Sequence, residues 1–299
     1  MKKVILAIML LCTPLMAAAD LNIFACEPEW AALADELGGD KVKTSSATNA
    51  LQDPHYVQAR PSLISQVRRA DLIVCSGAQL EIGWLPMLLQ KGNNRDVLPG
   101  GTGFLEASSF VKRLDVASNA DRSQGDVHPQ GNPHIQTNPH NIRLVAEAMA
   151  ERMALLDAEN SEIYQQRLQD FKQRWNSAIA DWESRGSALR GKRVIAHHKS
   201  WIYLEDWLGL VEVATLEPVS GLPPTASHLA SLLDRFSGTN DADFIIRAPF
   251  QSDKPSAWLS ERSGIPAVLL PLSVGGTDAA SDLFKLFDDI LSRLLNAKR

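Results

Sequence analysis

The chain predicts an α/β protein of two lobes, each a layered sheet with helices on both faces, joined by one long rigid helix. Three features carry this reading. Short apolar runs alternate with helical segments through the first half. From Ser161 to Arg185 apolar residues recur at intervals of three and four without a break, and a second alternation opens at Gly191. Strands separated by helices pair in parallel and form layered sheets, because a parallel crossover needs a helix-sized connection.

In chain order, Leu21-Asn22-Ile23-Phe24-Ala25 reads as a buried strand, and Pro28 to Leu37 as a helix stopped at Gly38-Gly39, where glycine accepts the left-handed cap. Lys41 to Ser45 is a second strand. Pro61 to Arg69 is a helix with proline in its first turn, and Leu72 to Cys75 is a short strand ending before Gly77. The stretch from Leu98 to Asn138 is poor in strand and helix signals. Asn141 to Met153 returns to helical spacing. In the helix that follows, Tyr164, Leu168, Phe171, Trp175, Ile179 and Trp182 form one apolar stripe, read as core packing, and its length lets it lie along two lobes. The second series comprises the strand Lys192 to Ala196, the helix Trp201 to Leu208, the strand Val211 to Thr215 and the helix Ala226 to Phe236. The strand Asp243 to Arg247, the helix Ser256 to Ser263, the strand Ala267 to Leu270 and the helix Ala280 to Leu295 complete it. The expected boundaries are 20–157 for the first lobe, 158–190 for the connecting helix and 191–299 for the second lobe.

Residues 1–19 read as a cleaved secretory signal: Lys2-Lys3, a short apolar core, and small residues before a cut after Ala19. Export to the periplasm is the expectation. Cys12 follows Leu11, where a lipid-anchoring signal wants a small residue. Losing Lys2 and Lys3 takes the formal charge from -5 to -7. A mildly acidic chain without a basic stripe argues against nucleic acid or anionic lipid as partner. Cys26 and Cys75 remain, each at the end of a strand. Either a disulfide or two buried thiols satisfies that placement.

His55, His134 and His198 lie 79 and 64 residues apart, the first two directly after prolines and the third just past a strand. All three occupy loops that lead into helices, where open α/β sheets gather ligands. They read as one divalent-metal site. Three imidazoles with one oxygen in a tetrahedral arrangement suit zinc. His140, His197 and His228 fit surface or supporting roles, and Glu217 and Arg247 are candidates to orient an imidazole by hydrogen bonding.

Several segments in order carry a family resemblance. They are Asp53-Pro54-His55, Ala70-Asp71-Leu72 with Gly77 and Glu81 to Leu85, Gly131-Asn132-Pro133-His134 with Pro139, His198-Lys199-Ser200-Trp201-Ile202-Tyr203, Glu217-Pro218 with Pro223-Pro224-Thr225, and Ala257-Trp258-Leu259 through Gly264-Ile265-Pro266. With them the chain resembles the periplasmic solute-binding proteins of zinc and manganese ABC transporters, over nearly its whole length. The resemblance implies two lobes joined by a long helix, with His55 and His134 from the first lobe and His198 from the second holding a zinc ion. It also implies an inner-membrane ABC permease as partner, with no enzyme activity; a monomer is expected. Histidine at the third position points to zinc, since manganese members tend to have a carboxylate there.

This chain departs from the family twice. The long histidine-dense loop of many zinc members is reduced to Gly125–Asn132 with His128. Where the family often has an aspartate at the end of the last strand, Leu270 stands. Asp278, in a loop with two glycines, is the expected replacement ligand. It is equally suited to capping the last helix, which leaves the fourth position to water. A three-histidine zinc hydrolase and an adhesin or manganese member of the same fold are the competing readings; no His-Glu-x-x-His helix supports the first.

Overall fold

A computed structural model describes residues 20–116 and 125–297. The expected signal segment, with Cys12, lies outside them.

Two four-stranded parallel sheets form the frame. The first contains β1 (Leu21–Ala25), β2 (Val42–Ser46), β3 (Leu72–Cys75) and β4 (Phe104–Glu106) in the order β2-β1-β3-β4. The second contains β5 (Arg193–Ala196), β6 (Val211–Thr215), β7 (Phe244–Arg247) and β8 (Ala267–Leu269) in the matching order β6-β5-β7-β8. In each sheet the strand order reverses beside its first strand, the crevice where parallel sheets accept ligands.

The strands alternate their side chains between two cores, as a pleat requires. Leu21, Ile23 and Ala25 of β1, and Leu72 and Val74 of β3, face inward, while Phe24, Ile73 and Cys75 face the opposite side. In the second sheet Val194, Ala196, Phe244 and Ile246 face inward, and Ile195 and Ile245 outward. The outer faces are covered by α2 (Pro61–Arg69) and α3 (Leu85–Gly92) on the first lobe and by α7 (Ala226–Phe236) and α8 (Lys254–Ser263) on the second. The inner faces share one layer: α1 (Pro28–Gly38), α4 (Pro139–Leu156), α5 (Ser161–Gly186), α6 (Ile202–Leu208) and α9 (Leu283–Asn296) all contribute to a single apolar cluster.

The long helix is the spine of that layer. α5 has 26 residues, about 39 Å at 1.5 Å per residue. Its stripe from Tyr164 to Trp182 is buried throughout, so the periodicity reports core packing. Trp175 stacks on Phe171 at 5.1 Å, meets Phe287 of α9 edge-on at 5.6 Å, and donates its indole N–H to Pro139 O at 2.8 Å. Most element edges agree with the sequence reading to within two residues. The exceptions are α3 and the three-residue edge strand β4, which were not expected, α4, which runs three residues past Met153 to Leu156, and α9, which starts at Leu283 because Asp282 is its cap, accepting from Lys285 N at 2.8 Å. Among the described residues no helix is long and apolar enough to cross a membrane.

Cys26 and Cys75 form a disulfide across the ends of β1 and β3, with Cα atoms 4.8 Å apart. Beside it lie three buried acids. Burial raises Glu27 well above the usual carboxylate range, helped by the neighbouring Glu81 and Glu29, and burial pushes Glu81 and Glu29 up to about 7. Glu29 also touches the other lobe, accepting the Ser273 hydroxyl at 2.5 Å.

Two predictions concern this frame. Trp175→Ala removes a fully buried indole at the crossing of both lobes and is expected to cost about 3–5 kcal/mol of stability, the range for large aromatics in cores. A denaturant midpoint shift worth under about 0.5 kcal/mol, the size of a surface change, overturns the spine role. Glu29 is raised from 4.5 in the unfolded chain to about 7 when folded. The folded state therefore holds a proton that the unfolded state has lost between those values, and stability falls as pH rises through this window and then levels. Glu29→Gln is expected to flatten that fall, gaining on the order of 3 kcal/mol relative to wild type between pH 4.5 and pH 8. Parallel stability curves for the two proteins across that range contradict it.

Candidate metal centre

Each of the three histidines is presented by a loop that other bonds hold still. His55 follows an Asx turn in which its own N–H donates to Asp53 Oδ1 at 3.0 Å. The preceding carbonyl, Pro54 O, accepts the buried Trp84 indole N–H at 2.9 Å, which pins the loop to the first lobe. His134 N donates to Asn132 Oδ1 at 3.1 Å just before a 3-10 turn, Ile135–Thr137. Gly131 takes φ +111 there; a Cβ would come to 3.0 Å from Leu114 O, so both the backbone and the space require glycine. His198 stands two residues past β5, at the reversal between β5 and β7, where His197 N donates to Ile246 O at 2.8 Å.

The loops converge from both lobes. Ring centroids of His55 and His134 are 5.4 Å apart, those of His55 and His198 5.6 Å, and those of His134 and His198 6.0 Å. One nitrogen from each lies within 4.8 Å of the other two. Asn132 ties the lobes together at this point, donating from its amide to Lys199 O at 2.7 Å and accepting the Tyr203 hydroxyl on its own carbonyl at 2.8 Å. The same hydroxyl accepts Leu114 N at 3.0 Å.

The electrostatics leave nitrogen lone pairs pointing at the centre. Asp53 Oδ1 holds His55 Nδ1 at 2.8 Å and Glu217 Oε2 holds His198 Nδ1 at 2.7 Å. Each carboxylate thereby places the ring proton on Nδ1 and leaves Nε2 as the donor of electrons. His55 Nε2 and both His134 nitrogens are buried without a hydrogen bond. Burial, with His55, His198 and His128 close by, holds His134 well below the ordinary imidazole range, so its ring is neutral. His198 is opposed by burial, yet Glu217 raises it above the ordinary range. Asp53 is also opposed by burial, and its bond to His55 brings it below the usual carboxylate range. The orphaned buried nitrogens of His55 and His134, gathered beside the His198 ring, cost free energy unless a cation meets them. The arrangement can bind a divalent ion.

The other expected residues are distributed as follows. Asp278 does not join the cluster. It is exposed, and its loop closes on itself through Gly275 N to Ala280 O at 2.7 Å and Gly276 N to Ser273 O at 3.0 Å. The Thr277 hydroxyl then fastens the loop to α9 by donating to Asp289 Oδ2 at 2.6 Å. The two glycines tighten this turn rather than freeing a carboxylate to swing inward. Nor does Asp278 cap α9, which Asp282 does. Leu270 is buried in the core. Of the two expected supports, Glu217 orients His198, whereas the Arg247 guanidinium bonds the Ala248 and Gln251 carbonyls instead. His140 pairs with Glu183 at 2.8 Å on the surface, and the His228 ring bonds Thr215 O at 2.9 Å. Asp53 and Tyr203 are the residues whose roles the sequence reading did not assign. An aspartate two residues before a candidate ligand, with proline between, is the signal that was available for the first.

Comparison with known proteins identifies the family. The family model described as zinc-uptake complex component A, periplasmic, matches residues 23–297. The metal ABC transporter substrate-binding lipoprotein ScbA of Streptococcus cristatus is 20% identical over 254 residues, covering 83% of this chain and 78% of that protein. The manganese ABC transporter substrate-binding lipoprotein scaA of Streptococcus gordonii is 25% identical over 258 residues, covering 84% and 79%. The fold matches the crystal structure of ZnuA with a TM-score of 0.76 at 22% identity, over 92% of this chain and 99% of that one. A Mn-bound periplasmic metal binding protein from candidatus liberibacter asiaticus matches at 0.74 and 17% identity, over 93% and 99%. The chain belongs to the zinc-uptake complex component A family, the substrate-binding proteins, rather than enzymes, of metal ABC transporters.

Proposed function

We propose that this protein captures zinc in the periplasm through His55, His134 and His198 and delivers it, as a single chain, to an inner-membrane ABC importer. The observation that supports zinc is the donor set: three imidazoles from two lobes, two of them oriented by carboxylates that do not themselves enter the cluster. Nitrogen-rich sites suit zinc, whereas manganese favours oxygen ligands. Relatives named for manganese and for iron, such as the iron ABC transporter substrate-binding lipoprotein MtsA of Streptococcus pyogenes, belong to the same broad group. The nitrogen-only donor set of this cluster supports zinc for the present chain.

The site is suited to carrying rather than keeping the ion. Its ligands come from loops of different lobes, so occupancy is felt on both sides of one interface, and loss of a single loop contact opens the shell. A cleft of about 270 Å³, lined by Asp115, Asp126, His128, Asn132, His198 and Lys199, reaches the cluster at His198. Lys199 pairs with Asp115 at 3.0 Å, which leaves the Asp126 carboxylate to favour a cation on approach.

Two measurements test this reading. By chelator competition, His134→Ala and His198→Ala are each expected to lower zinc affinity by more than about 100-fold, beyond the 10–100-fold range for losing an outer partner. The metal-free fold should survive, because both residues lie on loops. Unchanged affinity in either variant removes that residue from the site. Glu217→Ala, which frees His198 Nδ1, is expected to cost about 10–100-fold; a smaller effect means the imidazole is oriented by something else.

A further inference from the structure

We propose that His128 is the fourth ligand, so that the ion is closed in by four imidazoles and no carboxylate. This rests on the three-histidine reading above and adds a residue to it. The His128 ring is 5.4 Å from that of His55, the same separation as between His55 and His134. Imidazoles bonded to a tetrahedral zinc through one nitrogen at about 2.0 Å stand with centroids about 5 Å apart. His128 is 9% exposed, and it lines the cleft together with His198.

The loop that carries His128 is built to hold it there. Asp126 N donates to Ser220 O of the second lobe at 2.9 Å, and the Asp126 carboxylate accepts the Tyr56 hydroxyl of the first at 3.2 Å. Gly125 takes φ +96, and a Cβ on it would come to 2.2 Å from Ser220 O, so the crossing depends on glycine. Gly131 N donates to His128 O at 3.0 Å, closing the turn immediately before Asn132 and His134. Ser220 belongs to the same segment as Gly221, whose N–H donates to Glu217 Oε2 at 2.8 Å, the oxygen that orients His198. The loop is therefore strapped to Tyr56, the residue after His55, on one side and to the segment that supports His198 on the other.

The neighbouring carboxylates are engaged elsewhere: Asp53 with His55, Glu217 with His198, and Asp126 with Tyr56. The nitrogens of His55, His134 and His198 form a set within 4.8 Å that does not include His128. Three ligands are thus preformed, and a small inward turn of this one loop supplies the fourth. A shell without oxygen ligands biases the site further toward zinc over manganese.

The test uses the chelator-stripped mature protein, with zinc alone as probe. Affinity is read by chelator competition, and the number of imidazoles by zinc-edge X-ray absorption, for wild type, His128→Ala, His128→Gln and Asp278→Ala. The expected result is four imidazoles in wild type and three in both His128 variants, with affinity lowered about tenfold or more, at least the loss assigned to an outer-shell partner. Asp278→Ala should match wild type. Thermal unfolding of the metal-free variants separates loss of a ligand from loss of fold, and the glutamine variant keeps the side chain's bulk. Zinc bound tightly by wild type with three imidazoles, and unchanged in the His128 variants, overturns the fourth ligand and leaves the transport reading standing. Failure of wild type to bind zinc overturns both.

Discussion

Two parallel sheets bury their inner faces on the same layer of helices, and this shared burial governs the rest of the molecule. A lobe of four short strands has little apolar surface of its own to hide. Here Ile23 and Val74 from one sheet, Ile246 and Val194 from the other, and Trp175 and Trp182 between them belong to one continuous core. Burial of this kind is non-directional but large, and separating the sheets would expose it. The lobes are therefore held at a nearly fixed distance. Their strand ends, with the loops that follow, meet at one seam.

That fixed seam explains why the site is built from positioned imidazoles. A histidine free to turn presents either nitrogen, whereas His55 and His198 are each committed to one by a carboxylate at 2.8 and 2.7 Å. His134 needs no such partner, because burial and the neighbouring imidazoles keep it neutral. The hydrogen bonds through Asn132 and Tyr203 then set the spacing between the lobes at the place where spacing matters, since a metal shell tolerates errors of only about 0.2 Å.

Much of this was legible in the chain itself, where local pattern and tertiary outcome coincide. The β1 and β5 runs, the α5 stripe and the prolines that open α1, α2 and α4 all read correctly because each signal lies within a few residues of the structure it specifies. The convergence of His55, His134 and His198 was legible through their loop positions and the motifs around them. The features that escaped depend on distant partners. β4 is three residues long and exists because β3 offers it an edge. Asp278 was placed by analogy with a missing aspartate, but Thr277 bonds to Asp289 twelve residues on, which no local reading of two glycines reveals. Arg247 likewise found nearby carbonyls before it could reach an imidazole.

The disulfide carries a consequence for how such a protein is made. Cys26 and Cys75 close a loop with a sequence separation of 49, worth about 4 kcal/mol in the chain-entropy account of cross-linking. In a reducing cytoplasm that contribution is absent. An exported chain would thus be loosest while it still has to be threaded through a membrane and would tighten once it reaches oxidising surroundings. The staple joins β1 to β3, the two central strands of the first sheet, in the lobe that presents His55 and His134. The oxidised compartment thus supplies a cross-link within the sheet whose following loops present two of the three histidines.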